Sequence, residues 1–252
     1  MKPVLLIQPR FGGDIFFCMK IAAVCAAQGH RVIFPVEDQF GWIPQNLNIP
    51  AGVEMPLLSE SFDYKPLYEG VRAQAEAASM QGDWRFHFQP LENEHCMFLA
   101  LDSSWRKSPR DTMILKYLIA GIEYADWADS VSLKRNPERE AALLAHLGID
   151  EGRDFILINE NCRTRQIHVE DRGDTIRMGV VPGFTMFDWA GVAERAREII
   201  TVDTAFVLML EVLKVKCPLQ MISRYEPPDF QPIAPLLRLN WHLALTVEDL
   251  RP

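Results

Sequence analysis

Several short polar segments of the chain follow apolar runs that have the length and composition of buried strands. The first, residues 9–14 (PRFGGD), contains Arg10, Gly12, Gly13 and Asp14. Its two glycines allow a sharp turn and a close approach of the backbone to a ligand. Asp14 stands where a helix is expected to begin, so its carboxylate either caps that helix or acts as a general base. The segment has neither the third glycine of GxGxxG nor the lysine of a P-loop.

Two arginines follow a second apolar run. Arg163 and Arg165 lie in the polar stretch 159–174, close to the expected end of a strand. A guanidinium group at that place could hold a diphosphate through paired hydrogen bonds. The alternative for this stretch is a solvated, charged hairpin.

A third segment, residues 201–205 (TVDTA), runs from an apolar strand straight into an apolar helix. Asp203 or Thr204 suits the N-cap of that helix, and Thr201 precedes them at the strand end. The amides that follow, from Ala205 onward, lack partners within a helix and favour an anion. We therefore expect this segment to be a ready site for an anion.

A fourth segment, residues 181–185 (VPGFT), either walls a base or sugar pocket or is a plain turn. His87, His95 and His168 are scattered and form no HExxH or HxH pattern. The sequence also has no DxD motif and no GxSxG motif. We therefore expect no metal site, no catalytic triad and no cofactor.

An alternation of strands and helices must position these segments. Val4–Gln8, a helix at Ile15–Ala27 and Arg31–Val36 have the order of a βαβ unit with parallel strands. The same rhythm returns later, with strands at Phe155–Asn159, Thr175–Val181, Glu198–Val202 and Leu219–Ser223 and helices at Phe187–Arg195 and Asp203–Val215. Between the two regions we expect helices at Leu67–Met80, Thr112–Ile122 and Pro137–Leu147 and a strand at Arg85–Gln89.

Two expectations concern the last part of the chain. Residues 238–245 are either a strand or a helix that crosses back to the first half. Glu211 is the lone acid of an apolar helix, and we expect it to pair with Lys214 at a solvent-exposed edge. The alternative is that Glu211 reaches a ligand site.

Length and composition bound the remaining possibilities. A chain of 252 residues with a linker-like stretch at 146–154 indicates two domains, 1–148 and 149–252. A net charge of −8 argues against binding of nucleic acid. The five cysteines are widely spaced without a CxxC pair, which indicates free thiols in a reducing compartment. With no apolar run of about 18 residues and no signal peptide, we expect a cytoplasmic protein without a membrane span.

Two of these segments together resemble glycosyltransferases of the GT-B fold, the heptosyltransferase-like ones in particular. Residues 12–16 (GGDIF) and 28–32 (QGHRV) look like that family's opening strand–helix–strand, and residues 199–205 (IITVDTA) are similar to its strand-to-helix segment near the C-terminus. The resemblance implies an α/β chain with two Rossmann-like halves facing each other across a cleft. Residues 1–148 would be the acceptor side and residues 149–252 the donor side.

The resemblance also implies an activity and assigns roles residue by residue. The activity is a metal-independent, inverting transfer of a sugar from a nucleotide-sugar donor to a glycan, a lipid-linked or another hydroxyl acceptor. Asp14 matches the family's proposed catalytic base. The acceptor loop would contain Arg10, Gly12 and Gly13. The residues that bind the donor would be Arg163, Arg165, Thr201, Asp203, Thr204 and Ala205.

The sequence departs from the family pattern at two positions, with Leu208 in place of a histidine and Ala205 in place of a glycine. These departures favour an alternative, a non-catalytic module that binds a sugar or a nucleotide on the same fold. A nucleotide-sugar epimerase on this fold is a further alternative. A nicotinamide-dependent oxidoreductase has the acidic pair Glu37 and Asp38 in its favour.

Overall fold

The computed structural model describes residues 1–80, 90–101, 112–163, 165–225 and 233–251. The chain divides into Met1–Ser132 and Leu133–Pro252, which we call unit 1 and unit 2. Each unit has its own five-stranded sheet within the described residues. None of the helices in these ranges is long and apolar enough to cross a membrane.

The described strands of unit 1 are β1 Val4–Ile7, β2 Val32–Ile33, β3 Val53–Glu54, β4 Leu91–Glu92 and β5 Met97–Ala100. They form one sheet in the order β3-β2-β1-β5-β4, in which β4 runs antiparallel and the others run parallel. Every residue of β1 is buried, as in a central strand that is covered on both faces. The parallel βαβ unit expected at the start of the chain is confirmed.

The described helices of unit 1 are α1 Gly12–Phe17, α2 Met19–Ala27, α3 Trp42–Gln45, α4 Lys65–Met80 and α5 Thr112–Ala120. The helix expected at Ile15–Ala27 begins earlier and is divided at Cys18. Backbone hydrogen bonds continue across the division, because the Cys18 amide donates to Asp14 O at 3.0 Å and the Ala22 amide donates to Cys18 O at 3.2 Å. Helices α4 and α5 confirm two expected helices. The strand expected at Arg85–Gln89 lies outside the described residues.

Aromatic packing fixes α5 against the end of α1. The Tyr117 hydroxyl donates to the Phe17 carbonyl at 2.7 Å, and the two ring centroids are 4.7 Å apart. Trp127, in the short 3-10 turn Trp127–Ser130, packs edge-on against Phe17 at 5.2 Å. All three rings are fully buried. Helix α5 therefore has a fixed place beside the turn that carries Asp14.

The described strands of unit 2 are β6 Ile156–Asn159, β7 Thr175–Arg177, β8 Glu198–Val202, β9 Leu219–Ile222 and β10 Trp241–Ala244. They form a sheet in the order β10-β9-β8-β6-β7, and every neighbouring pair is parallel. The four expected strands are confirmed, although β7 ends before residue 181. Residues 238–245 contain β10, so the strand interpretation of this stretch is correct and the helix interpretation is wrong.

The described helices of unit 2 are α6 Pro137–His146, α7 Ala190–Arg195 and α8 Ala205–Leu213. Asn136 caps α6, since its side chain accepts the Arg139 amide at 3.1 Å. Helix α8 starts after its N-cap residue Thr204, later than the start expected at Asp203. It ends at Leu213 and is followed by the C-cap residue Lys214, whose φ of 54° lies in the left-handed region. The apolar helix after β8 is therefore shorter at both ends than its sequence suggests.

The division between the units falls between Ser132 and Leu133, before α6, whereas the sequence suggested a boundary after α6 at 148/149. Charged contacts attach α6 and the residues before it to unit 2. Arg139 Nε donates to Asp188 Oδ1 at 2.8 Å, and Arg135 Nη2 donates to Glu194 Oε2 at 2.8 Å. These contacts explain why α6 belongs with the second sheet. The linker-like stretch at the end of α6, residues 146–154, therefore leads into an internal loop of unit 2.

Candidate functional site

Asp14 lies in the first turn of α1, and its carboxylate faces a buried lysine. Asp14 Oδ1 is 3.0 Å from Lys116 Nζ, with the Asp14 side chain 22% exposed and the Lys116 side chain 1% exposed. The N-cap position of α1 belongs to Phe11. Asp14 is the third residue of the helix, so the interpretation of Asp14 as the capping residue is wrong. Its carboxylate is instead half of a partly exposed ion pair.

Lys116 is not among the residues that the sequence analysis singled out. Its Nζ donates to Leu101 O at 2.8 Å and also to Gln8 Oε1. Gln8 is buried as well, and its Nε2 donates to the Arg10 carbonyl at 2.9 Å. The signal that could have found Lys116 is a lone charged residue within a largely apolar helix, residues 112–120 (TMILKYLIA).

The turn before α1 approaches its neighbours closely. Phe11 has a φ of 62° and a side chain that is 52% exposed, and this left-handed conformation is strained for a bulky residue. A Cβ added to Gly12 would lie 3.3 Å from Ile43 Cδ1, so a glycine suits this position. Gly13 follows as the second residue of α1. Strain of this kind often accompanies a functional loop.

Arg10 takes part in a cluster of ion pairs beside this turn. Its Nη2 is 3.1 Å from Glu76 Oε1, and its Nε is 3.3 Å from Glu37 Oε1. Arg72 Nε reaches the same Glu76 oxygen at 3.1 Å. The structure therefore places Arg10 against α4, in a cluster whose two guanidinium groups and two carboxylates balance in charge.

A row of polar side chains follows the strands of unit 2 at their carboxyl ends. Asn159, at the end of β6, donates through Nδ2 to Thr201 Oγ1 at 3.0 Å and to Thr204 Oγ1 at 3.4 Å. Its Oδ1 accepts the Asn161 amide at 3.2 Å. Thr204 is the N-cap residue of α8, and Ala205 is the first residue of that helix. The structure thus brings Thr201, Thr204 and Ala205 together, as the sequence suggested.

Asp203 is a buried carboxylate at the end of β8. The residue is 1% exposed, and its Oδ2 has no hydrogen-bond partner among the described residues. Burial raises the pKa of Asp203 to about 6, and the positive charge of Arg224 opposes this rise. The sequence analysis missed Arg224, although its position directly after the expected strand Leu219–Ser223 was an available signal. A buried acceptor without a partner is costly, so a hydroxyl donated by a ligand would relieve it.

The two arginines that follow β6 differ in their surroundings. Arg165 Nη1 is 3.4 Å from Ser223 O and 3.3 Å from Leu245 O, the carbonyls that follow β9 and β10. Its side chain also lines a hollow of about 410 Å³ in the loop after β6. Arg163 is exposed on that loop. The described residues of 160–174 contain no strand, so the hairpin alternative is wrong.

Glu211 is buried in α8, and its carboxylate binds the chain segment that leads into β10. Its Oε2 accepts the Arg238 amide at 2.8 Å, and its Oε1 accepts the Leu239 amide at 3.2 Å and Trp241 Nε1 at 2.6 Å. The expectation of a solvent-exposed edge is wrong, because three donors from the same unit satisfy this carboxylate inside the protein. The same contacts leave it without a role toward a ligand.

The segment 181–185 is a capped turn. Thr185 caps the short 3-10 helix Met186–Trp189 and exchanges hydrogen bonds with Asp188 in a capping box. Arg139 Nη2 donates to the Gly183 carbonyl at 2.6 Å. These contacts support the plain-turn interpretation.

The remaining candidates are the histidines. His95 and His168 have exposed side chains, and His87 lies outside the described residues. In the part of the chain that the structure describes, no three His, Cys, Asp or Glu side chains are grouped in a way that could hold a metal ion.

Comparisons with known proteins place the fold. No protein-family model matches the chain, and no curated protein matches its sequence. Among solved structures, the glycosyl transferase family 9 protein from Veillonella parvula DSM 2008 has a TM-score of 0.53 at 12% identity, with 97% of this chain and 86% of that chain covered.

Two E. coli structures match at lower TM-scores. Heptosyltransferase WaaC with ADP has a TM-score of 0.49 at 14% identity, with 98% of this chain and 97% of that chain covered. ADP-heptose lps heptosyltransferase II has a TM-score of 0.48 at 11% identity, with 96% and 90% covered. At such identities a likeness speaks for the fold. The likeness to the Veillonella parvula protein, together with the two parallel-sheet halves, confirms that this chain has the α/β, GT-B-like fold that its sequence resembles.

Proposed function

We propose that this protein is a glycosyltransferase that moves a sugar from a nucleoside-diphosphate sugar to an acceptor hydroxyl. The transfer inverts the configuration at the anomeric carbon and needs no metal ion. In this proposal unit 2 binds the donor and unit 1 binds the acceptor. The observation that carries it is the collection of hydrogen-bond donors and positive charge at the carboxyl edge of the unit 2 sheet. Ligands of parallel α/β sheets bind at this edge.

The donor side is suited to a diphosphate. The first amides of α8, at Ala205 and Phe206, have no acceptor within the helix and point toward its N-terminal end. Arg165 lies over the ends of β9 and β10 at the same edge. Negative charge grows on the diphosphate as its bond to the sugar breaks, so fixed amides and a guanidinium group would stabilise it. Oδ2 of Asp203, which has no hydrogen-bond partner among the described residues, would accept a hydroxyl of the sugar or the ribose.

The acceptor side centres on Asp14, whose carboxylate is partly exposed at the strand-to-helix turn. The acceptor oxygen attacks the anomeric carbon from the face opposite the diphosphate, which inverts the configuration at that carbon. The hydroxyl proton passes to Asp14, and the electron pair of the breaking bond leaves with the diphosphate. A base that takes this proton contributes about 10²–10⁴-fold to a rate.

A non-catalytic binding module is the second candidate, and Leu208 favours it. This residue is a buried apolar side chain in α8, at the position where the resembling family has a histidine. Binding of nucleotides without transfer to any acceptor would support the module. Conversion of a nucleotide sugar in the absence of an acceptor would instead support an epimerase.

The first test measures nucleotide binding by thermal unfolding in UDP, GDP, ADP and CMP. A ligand at about 100 times its Kd adds about 2.7 kcal/mol to the free energy of unfolding. We expect at least one nucleoside diphosphate to raise the melting temperature. If none of them does so, the donor site is contradicted.

The second test compares transfer by Asp14→Ala with transfer by Asp63→Ala. Asp63 is a matched control, because its side chain is 66% exposed and pairs with Arg31 in the same unit. We expect Asp14→Ala to lose about 10²–10⁴-fold in transfer rate and to keep nucleotide binding, whereas Asp63→Ala stays at the wild-type rate. Transfer by Asp14→Ala at the wild-type rate would rule out this residue as the base.

A further inference from the structure

The ammonium group of Lys116 is buried next to the turn that carries Asp14. Lys116 projects from α5, a helix whose neighbouring side chains are mostly apolar, and it is 1% exposed. Removing an ammonium group from water costs several kcal/mol unless charged and polar partners offset that cost. The contacts of Lys116 must therefore be specific ones.

Three oxygens surround the ammonium group, two as hydrogen-bond acceptors and one, on Asp14, as an ion-pair partner. They are Asp14 Oδ1 at 3.0 Å, Leu101 O at 2.8 Å and Gln8 Oε1. Leu101 follows β5 and Gln8 follows β1, two strands that pair in parallel register. Lys116 thus ties the Asp14 carboxylate to the ends of β1 and β5, and support by strands holds a site more precisely than support by loops.

The same helix also holds the two ends of the turn. Gln8, bound by Lys116, donates through Nε2 to the Arg10 carbonyl at 2.9 Å. The next residue of α5, Tyr117, donates to the Phe17 carbonyl at 2.7 Å. The chain entering the turn and the helix leaving it are therefore both fastened to α5, with Asp14 between them.

We infer that Lys116 is a positioning residue that orients Asp14 for proton transfer, an inference that rests on the proposed glycosyl transfer. Since Oδ1 faces the ammonium group, Oδ2 is the oxygen that takes the proton of the acceptor hydroxyl. The acceptor O–H bond breaks as the new bond to the anomeric carbon forms, and the diphosphate leaves with its electron pair. In this step Lys116 orients the carboxylate and exchanges no proton with the substrate.

The test is Lys116→Met in the full chain, with Lys20→Met as the matched control. Lys20 is the other lysine buried in unit 1 among the described residues, and its Nζ contacts Asp126 Oδ1 and the Glu123 carbonyl. Both variants remove a buried lysine and its ion pair, so both lower the melting temperature. We expect Lys116→Met to reduce kcat about 10–100-fold with KM for the donor within about twofold, since a small misplacement of a reacting group has this effect. Lys20→Met keeps the wild-type kcat while folded.

A double-mutant cycle separates orientation of Asp14 from a general loss of structure. In an Asp14→Asn background, Lys116→Met should cause no further fall in the residual kcat, because the oriented base is already absent. The same fold loss in both backgrounds would overturn the inference, and so would a wild-type kcat for Lys116→Met. If Lys116→Met does not fold, Lys116→Gln, whose amide can still donate to Leu101 O, is measured in the same way.

The outcomes distinguish this inference from the proposed function. A wild-type protein that transfers sugar while Lys116→Met transfers at the same rate overturns the role of Lys116 alone. A wild-type protein that transfers no sugar from any nucleotide sugar overturns the proposed function, and the role of Lys116 falls with it.

Discussion

Two aspartates, one in each unit, have opposite surroundings. Asp14 lies in the first turn of α1, the helix after β1, and Asp203 directly follows β8. Asp14 is partly exposed and lies 3.0 Å from a lysine ammonium. Asp203 is almost completely buried, and its Oδ2 has no partner among the described residues. A directly paired lysine therefore distinguishes Asp14 from Asp203, whose burial the charge of Arg224 offsets only in part.

The buried Asp203 predicts a dependence of stability on pH. Its folded-state pKa, raised by burial to about 6, exceeds the ordinary value of 3.8. Between these values the folded protein binds more protons than the unfolded chain, so the stability that this group contributes at low pH is lost as the pH rises toward 6. We expect Asp203→Asn to be more stable than wild type at pH 7, by up to about 3 kcal/mol, and equal to it near pH 4.

Urea unfolding of the two proteins between pH 4 and 7.5 measures this difference. The control is Asp174→Asn, since Asp174 is exposed and Arg153 holds its pKa below its usual range through a hydrogen bond. That change removes a favourable pair, so its effect at pH 7 should be small and of the opposite sign. A wild-type protein more stable than Asp203→Asn at pH 7 would mean that the carboxylate has a partner in solution.

At the scale of elements, the close contact between α6 and α7 depends on a glycine. A Cβ added to Gly191 would lie 2.9 Å from Glu140 Oε2 and 3.2 Å from Glu140 Cβ. Glu140 has little room to move away, because it is buried and paired with Arg135, which also binds Glu194 on α7. Any side chain at this position must therefore push the two helices apart or break the ion pair.

We predict that Gly191→Ala lowers the free energy of unfolding by about 1–3 kcal/mol, the usual cost of overpacking. The matched control is Gly70→Ala in α4, where an added Cβ meets nothing within 4 Å. There alanine should raise the free energy of unfolding by about 0.5–1 kcal/mol, because it loses less conformational freedom on folding than glycine. Denaturant titration of both variants gives the comparison, and equal effects would refute the close contact.

The sequence predicts elements well where the pattern is local. The strands β1, β6, β8 and β9 are short apolar runs bounded by polar residues, and the structure contains each of them. Glu211 was misjudged because helical spacing offers Lys214, three residues away, as its partner, whereas its real partners include the amides of Arg238 and Leu239. Hydrogen bonds from a carboxylate to backbone amides of a distant segment cannot be predicted from the pattern of side chains in the sequence.

The candidate site shows the same limit more sharply. The polar row at the end of β6 and β8 could be predicted, since strand-to-helix turns of parallel sheets gather at one edge. The contact of Lys116 with Gln8 could not, because these residues are 108 positions apart in the chain and meet only when β1, β5 and α5 pack together. A contact between residues so far apart in the chain is a property of the tertiary structure and cannot be predicted from local sequence patterns.

At the scale of the whole molecule, the proposed functional groups are divided between the two units. The groups suited to a diphosphate, Arg165 and the start of α8, belong to unit 2, and the proposed base belongs to unit 1. Each set follows the carboxyl ends of parallel strands in its own sheet. The donor should therefore be able to bind through unit 2 contacts, whether or not an acceptor is present.

This division predicts where a nucleoside diphosphate slows hydrogen exchange. We expect protection of the amides in 159–163 and 201–206 on addition of the diphosphate that stabilises the protein, and little change in 8–14. Arg165→Met should weaken both the binding, about 10-fold, and the protection, since it removes a charge-assisted contact. Arg153→Met is the control, because Arg153 pairs with Asp174 at 2.6 Å, at the start of the strands rather than at their carboxyl ends. Protection confined to 8–14 would place the nucleotide in unit 1 and reverse the assignment of donor and acceptor sides.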